Sequence, residues 1–243
     1  MAIGKLTLDL FEQVMQHISS RPIALVTVGY PDCLVPASLV GEMFGKDIIE
    51  KLVYRDDSDK IIAWHSLGGK LDKVIETRSL LELLGIEITV LDISEVRGGE
   101  IICDLNHPIP PELNGRFDIV LDGGTMEHCF NIGQVINNLV SMAKVNGFVI
   151  HGNPLVVMNH GFFNFSPTFY YDYYIDNGHR LPSPIYGYVH KEMDYQLFEL
   201  PPTKRFGKVP DNSWVSVVAQ KLHDRENKWP MQTKYKNSPT LGG

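Results

Sequence analysis

The sequence predicts an α/β protein built on a doubly wound, mostly parallel sheet with an antiparallel hairpin at its C-terminal edge. Two patterns carry that expectation: short β-branched runs such as Ile23–Val28 and Phe117–Leu121 alternate with stretches of helical periodicity, and successive strands end in an aspartate. The chain has 243 residues, 44% of them hydrophobic and 21% charged. That length buries a full core, and the composition excludes disordered, coiled-coil and collagen-like classes.

The elements follow in order. Leu6, Leu10, Phe11, Val14, Met15 and Ile18 form an apolar stripe, which predicts a helix over 5–18. Pro22 precedes the run Ile23–Val28 and Gly29-Tyr-Pro31 follows it, as expected of the first core strand. Apolar spacing from Leu67 to Leu84, closed by Gly85, predicts a second helix, with a strand over Glu87–Ile93 directly after it. Then come a short strand at Glu100–Cys103, a proline-rich loop at 106–111, a strand at Phe117–Leu121, a helix at Ile132–Lys144 and an apolar strand at Phe148–Ile150. Pro167–Asn177 reads as a helix, and Tyr186–Leu200 and Trp214–Lys221 as the strands of the edge hairpin. The reading is one domain over residues 1–224, with an excursion at 33–85 that roofs the site, and a polar, fraying tail at 225–243.

Charge and cysteine content narrow the function classes. A formal charge of −7 disfavours a surface that neutralises nucleic-acid phosphates. Cys33, Cys103 and Cys129 give neither a disulfide framework nor zinc-site spacing, so the protein is expected in a reducing cytoplasm. Met1–Ser20 lacks the continuous apolar stretch of a signal peptide, and no run reaches the roughly 18–20 apolar residues of a membrane span.

In open α/β sheets ligands bind beyond the carboxyl ends of the strands, where this sequence presents Asp92, Asp104 and Asp122-Gly123-Gly124. A carboxylate at the second strand end can accept both ribose hydroxyls of a nucleoside, one at the third can reach an adenine amino group, and glycines at the fourth let backbone approach the ligand. Each acid is also a good helix cap or turn residue. His128 follows Glu127 directly after the glycine turn, and His160 follows the Phe148–Ile150 strand. Both are candidate general bases, and both are also candidates for capping or packing roles. His65 is a more distant candidate, and Cys129 reads as packing. The aromatic run from Phe162 to Tyr174 suits either a wall around a sulfonium or a buried helix face.

The stretch from Val90-Leu-Asp92 through Asp104-Leu-Asn106 and Phe117-Asp-Ile-Val-Leu-Asp122-Gly-Gly-Thr-Met-Glu127-His128 to Asn159-His-Gly161 resembles the S-adenosylmethionine-dependent class I methyltransferases. Within them, Asp122-Gly-Gly-Thr-Met-Glu-His-Cys-Phe-Asn131 and His160-Gly-Phe-Phe-Asn-Phe-Ser-Pro167 resemble a bacterial subgroup often linked to polysaccharide or secondary-metabolite pathways. The resemblance covers about residues 86–180. It implies a Rossmann-like fold and S-adenosylmethionine as cofactor. On that resemblance Asp92 takes the ribose, Asp104 and Leu105 the adenine, and Asp122 with Gly123 the methionine end, while Gly29 and Tyr30 of the first loop, Ile93 and Glu127 are further cofactor-binding residues. His128 and His160 are then the catalytic bases.

The family usually has a glycine-rich first loop, and Gly29-Tyr-Pro-Asp32 offers one glycine. The rival is Leu67-Gly-Gly69 after Lys60–Trp64, which lies nearer the usual spacing of about 20 residues before the acid. Gly29 is preferred because the run before it is the better buried strand. The expected reaction is methyl transfer to an oxygen, less readily a nitrogen, of a small or sugar-like acceptor. No metal, nucleic acid or membrane partner is implied, and the oligomeric state is open, a homodimer being one option. Non-methylating chemistry on the aminobutyrate arm, and non-catalytic binding of an adenosine ligand, are the alternatives.

Overall fold

A computed structural model describes residues 1–236. Of the tail expected at 225–243, residues 237–243 lie outside the described part. The chain divides into two compact units: Met1–Cys103 with His190–Gln196, and Asp104–Val189 with the residues from Leu197 onward. Among the described residues no helix is long and apolar enough to cross a membrane.

The first unit opens with β1 (Ala2–Ile3) and α1 (Lys5–Met15), whose Leu8, Phe11 and Val14 form the buried stripe. Next are β2 (Ile23–Val28), β3 (Asp32–Cys33), which pairs in parallel with β1, and α2 (Ala37–Phe44). They are followed by α3 (Ser58–Trp64), α4 (Thr77–Leu83), β4 (Ile86–Asp92) and β5 (Ile101–Ile102). β2 runs parallel to β4, from Ile23 opposite Ile86 to Val28 opposite Leu91, and β5 adds in parallel to the other side of β4.

The helix expected from Leu67 to Leu84 is confined to α4. Gly69 takes φ +75° and closes a turn, and Ile75 is drawn into bridges with Cys33 and Tyr54, so tertiary pairing overrides local periodicity there. The carboxylate of Glu76 then caps α4 by accepting the N–H groups of Arg78 and Ser79. Lys60–Trp64 belongs to a helix, with Ile61 and Ile62 packed on Leu71 and Val74, so the Gly68-Gly69 turn follows no strand. The glycine turn that directly follows a core strand in this unit is the one at Gly29.

The second unit contains β6 (Phe117–Asp122), α5 (Ile132–Met142), β7 (Ala143–Val156) and α6 (Pro167–Asp176). After them come β8 (Tyr186–Lys191), β9 (Asp194–Glu199), β10 (Ser213–Gln220) and α7 (Thr233–Lys236). β6 is buried throughout and pairs in parallel with β7, while β10 lies antiparallel to β7 on one side and to β8 on the other. β7 is longer than its apolar core suggests, because Asn146 at φ +70° and Gly147 are absorbed within it. A Cβ at 147 would lie 3.0 Å from the Asp118 carbonyl oxygen, so only glycine fits without displacement. The run Tyr186–Leu200, expected as one strand, is two, turning at Glu192 with φ +54°. The architecture is therefore mixed α/β with mostly parallel pairing and an antiparallel C-terminal hairpin, as the sequence predicts.

Two leucines of α4 separate packing from periodicity. Leu80 is fully buried and Leu83 is 38% exposed. Leu80→Ala should cost about 2–5 kcal/mol in urea unfolding, and Leu83→Ala less than about 1 kcal/mol. Equal losses would mean that α4 does not pack through the Leu80 face.

Candidate functional site

In the first unit the carboxyl ends of β2 and β4 lie side by side. The register that sets Val28 against Leu91 places Gly29 beside Asp92. The Gly29 N–H donates to the Leu91 carbonyl at 2.6 Å, and its φ of +96° is a conformation that favours glycine. Asp92 is half-buried. Its Oδ1 accepts the N–H groups of Ile93 (2.7 Å) and Ser94 (3.4 Å). Ile93 is exposed. The Tyr30 hydroxyl donates to the Glu76 carboxylate, and burial, aided by that carboxylate, pushes its pKa up to about 12. His65 Nε2 lies 3.2 Å from Asp32 Oδ2, in a network that also holds Arg97.

In the second unit Asp104 opens a loop tied to the start of α5. Asp104 Oδ1 accepts the N–H and side-chain amide of Asn106, and these bonds hold its pKa below the usual value. Asn106 in turn accepts the Asn131 N–H, while the carbonyls of Leu105 and His107 accept from the Asn138 amide. Leu105 itself is buried.

Asp122 ends β6 and is completely buried. Its Oδ1 accepts the N–H groups of Thr125 and Met126, both at 3.1 Å, which folds the following residues into the tight turn Met126–His128. Its Oδ2 accepts from the Asn153 amide at 2.9 Å and lies 3.2 Å from His151 Nδ1. A proton on His151 Nδ1 satisfies that contact and leaves Nε2 to accept from the Tyr174 hydroxyl at 2.7 Å. Asn153 continues the network: Oδ1 accepts from Tyr170 at 2.6 Å, and Nδ2 also donates to Glu127 Oε2 at 3.0 Å. Burial alone would raise the Asp122 pKa, but the His151 contact, the Asn153 amide and the Thr125 N–H outweigh it and hold it below 3.8.

Glu127 is fully buried beside this network. Its Oε1 lies 3.4 Å from His160 Nε2 and 3.9 Å from His128 Nε2, yet makes no hydrogen bond among the described residues. Burial, followed by the Asp122 charge, pushes Glu127 up to about 7. Burial, followed by His160, lowers the pKa of His128. The imidazoles of His128 and His160 are 5.1 Å apart between ring centres, and Trp214 meets His160 edge-on at 5.0 Å. Cys129 is a packing thiol: Sγ points to the Thr125 carbonyl, and burial raises it to about 11.

The structure thus brings Gly29 together with Asp92, and Glu127 together with His128 and His160. Gly123 is partly accessible at the turn that Asp122 fixes, whereas the Asp122 carboxylate faces inward. The aromatic run divides: Phe165, Tyr170, Tyr173 and Tyr174 are core, while Phe162 is exposed and edge-on to Phe130. Sequence reasoning missed His151, Asn153 and the two tyrosine hydroxyls bound to them. The available signal was His-x-Asn at alternate positions of an apolar strand, which turns two polar groups to one face.

No family model matches the chain, and no curated protein matches it. Among solved structures, DszA carbon methyltransferase is 12% identical with a TM-score of 0.42, over 88% of this chain and 51% of that one. The chain therefore spans about half the length of that protein. A Burkholderia thailandensis 1,6-didemethyltoxoflavin-N1-methyltransferase, solved with 1,6-didemethyltoxoflavin and S-adenosylhomocysteine, is 13% identical with a TM-score of 0.33, over 76% of this chain and 86% of that one. PigF, solved with SAH, is 14% identical with a TM-score of 0.31, over 89% of this chain and 57% of that one.

Two measurements check the buried network. Tyr174→Phe removes the hydroxyl facing His151 Nε2 and should cost about 1–3 kcal/mol in urea unfolding; no change would mean that the contact is not formed. Because the Asp122 pKa is depressed on folding, its stabilisation is present above the ordinary value of 3.8 and is lost as pH falls through the folded value. Unfolding titrations from pH 6 down to about pH 2 should therefore show a loss of stability that is smaller in Asp122→Asn.

Proposed function

We propose that this chain is an S-adenosylmethionine-dependent methyltransferase acting on an oxygen, less readily a nitrogen, of a small or sugar-like acceptor. The observation that carries the reading is the pairing of the Gly29 turn with Asp92 at adjacent carboxyl ends of parallel strands. A turn without a side chain lets a ligand approach the backbone, and a strand-end carboxylate accepts ribose hydroxyls. The site fits that role, since Asp92 Oδ1 is engaged by its own loop and no hydrogen bond is made to Oδ2 among the described residues. Tyr30 and Ile93 flank this pair. Asp104 with Leu105 for the adenine, and Gly123, held by Asp122, for the methionine end, follow the sequence resemblance.

When bound, S-adenosylmethionine supplies an electrophilic methyl group on a sulfonium. The protein then has to orient the acceptor and take its proton as the acceptor oxygen bonds to the methyl carbon and the carbon–sulfur pair leaves on sulfur. His128 and His160 are the half-exposed nitrogen bases suited to that proton, with Glu127 behind them.

Calorimetric titration tests the cofactor. S-adenosylmethionine or S-adenosylhomocysteine should bind with a micromolar Kd, about −8 kcal/mol, and Asp92→Ala should abolish it. Failure of both ligands to bind would overturn the reading. With a panel of hydroxylated acceptors, His128→Ala or His160→Ala should lower turnover by about 10²–10⁴-fold with the cofactor Kd unchanged. Unchanged turnover in both variants would remove the bases. Release of methylthioadenosine in place of S-adenosylhomocysteine would move the chemistry to the aminobutyrate arm.

A further inference from the structure

The donor atoms of Glu127, His128 and His160 converge on one point, all within 4.8 Å of one another. The short Met126–His128 turn delivers the first two, and the loop after β7 delivers the third. That loop is pressed onto Glu127. The Phe162 N–H donates to the Glu127 carbonyl at 2.8 Å, and a Cβ at Gly161 would lie 2.7 Å from the same oxygen and 2.9 Å from the Glu127 Cγ. On the other side, a Cβ at Gly124 would come within 3.3 Å of Glu127 Oε1. Two glycines therefore permit the approach that sets His160 against the carboxylate.

The cluster is built, yet among the described residues no hydrogen bond reaches its central oxygen. Leaving a buried acceptor unsatisfied is costly, and more so when it is charged. Here that acceptor is Glu127 Oε1, inside a completely buried side chain and aimed at two imidazole nitrogens. Its partner oxygen Oε2 is fixed by Asn153, which is itself fixed by Asp122 and Tyr170. A carboxylate with one oxygen locked by an amide and the other facing two nitrogens has the outer-shell support that metal ligands commonly receive.

We propose that Glu127 Oε1, His128 Nε2 and His160 Nε2 bind a divalent transition-metal ion of the zinc type. Metal–donor bonds of about 2.0–2.2 Å at tetrahedral angles separate neighbouring donors by about 3.4 Å. The His160 contact of 3.4 Å meets that value, the His128 contact of 3.9 Å exceeds it by about half an ångström, and with all three atoms within 4.8 Å of one another the half-exposed imidazoles have to draw together on the ion. Two imidazoles and one carboxylate suit zinc, cobalt or iron(II), whereas magnesium and calcium prefer all-oxygen shells. Three protein ligands leave a fourth position, and the half-exposed rims of His128 and His160 leave it open to water or to a hydroxyl oxygen. With the ion bound, the two imidazoles would serve as ligands in place of their role as bases, and the cation would supply the acidity of a hydroxyl held at the fourth position.

This inference goes beyond the methyltransferase reading and is tested without S-adenosylmethionine. Protein stripped with EDTA is titrated with cobalt(II) and followed by its visible d–d absorption. Zinc(II) is then added as competitor and magnesium(II) as control. One equivalent of cobalt should bind in the micromolar range, with zinc displacing it and magnesium failing to. His128→Ala, His160→Ala and Glu127→Gln should each weaken binding at least about tenfold, whereas His17→Ala should leave it unchanged. The two alanine variants alter half-exposed rings, and circular dichroism melting confirms that they fold. Absence of stoichiometric cobalt or zinc binding to the wild-type protein would overturn the proposal, as would wild-type affinity in both His128→Ala and His160→Ala. Either failure leaves the calorimetric test of the cofactor intact.

Discussion

A carboxylate sealed inside a protein must be surrounded by donors, because the cost of stripping its water is several kcal/mol even after the surroundings relax. Asp122 meets that demand with two backbone N–H groups from the turn ahead of it, an amide from Asn153 and a contact with His151. The same contacts dictate the local geometry. The N–H groups of Thr125 and Met126 can reach Oδ1 only if the chain folds back at Gly123-Gly124, and that fold delivers Glu127 and His128 to one place. Asn153 shares its amide between Asp122 and Glu127, so the position of the second carboxylate follows from the first.

The two carboxylates end up in contrasting states. Asp122 is surrounded by donors and stays below its ordinary pKa, while Glu127 gains one amide bond and is raised by burial and by the charge of its neighbour. Neighbouring acids pushed apart in this way are a common arrangement where a protein handles protons or cations. The aromatic helix α6 takes part through Tyr170 and Tyr174, whose rings fill the core while their hydroxyls serve the network. Core and site thus share side chains in the second unit.

Much of this was legible in the sequence where the physics is local. The runs Ile23–Val28 and Phe117–Asp122 are apolar, β-branched and bounded by turn residues, and both are strands. Ile132–Met142 shows its helical stripe and its Asn131 cap. The periodicity from Leu67 to Leu84 was misleading because nothing local reports that Ile75 will bridge Cys33 and Tyr54. The candidate residues at strand ends could be named from spacing and resemblance. That Gly29 stands beside Asp92 depends on a parallel register between segments far apart in the chain, and that His160 meets Glu127 depends on Gly161 tolerating a close approach. Such information resides in pairing and packing. The Asp122–His151–Asn153–Tyr174 network was hidden because each polar residue sits singly within an apolar segment.

The turn between β8 and β9 belongs, by its contacts, to the first unit. Lys5 and Asp9 meet Asp194 and Tyr195, and Met193 packs on the cluster of Ile61, Ile62, Leu71 and Val74. During synthesis the first 103 residues therefore emerge without a piece of their own surface, which is made only after most of the second unit has left the ribosome. The contacts of the N-terminal unit are complete only once residues 190–196 have been made. Contacts at such long sequence separation slow folding and keep apolar surface exposed meanwhile.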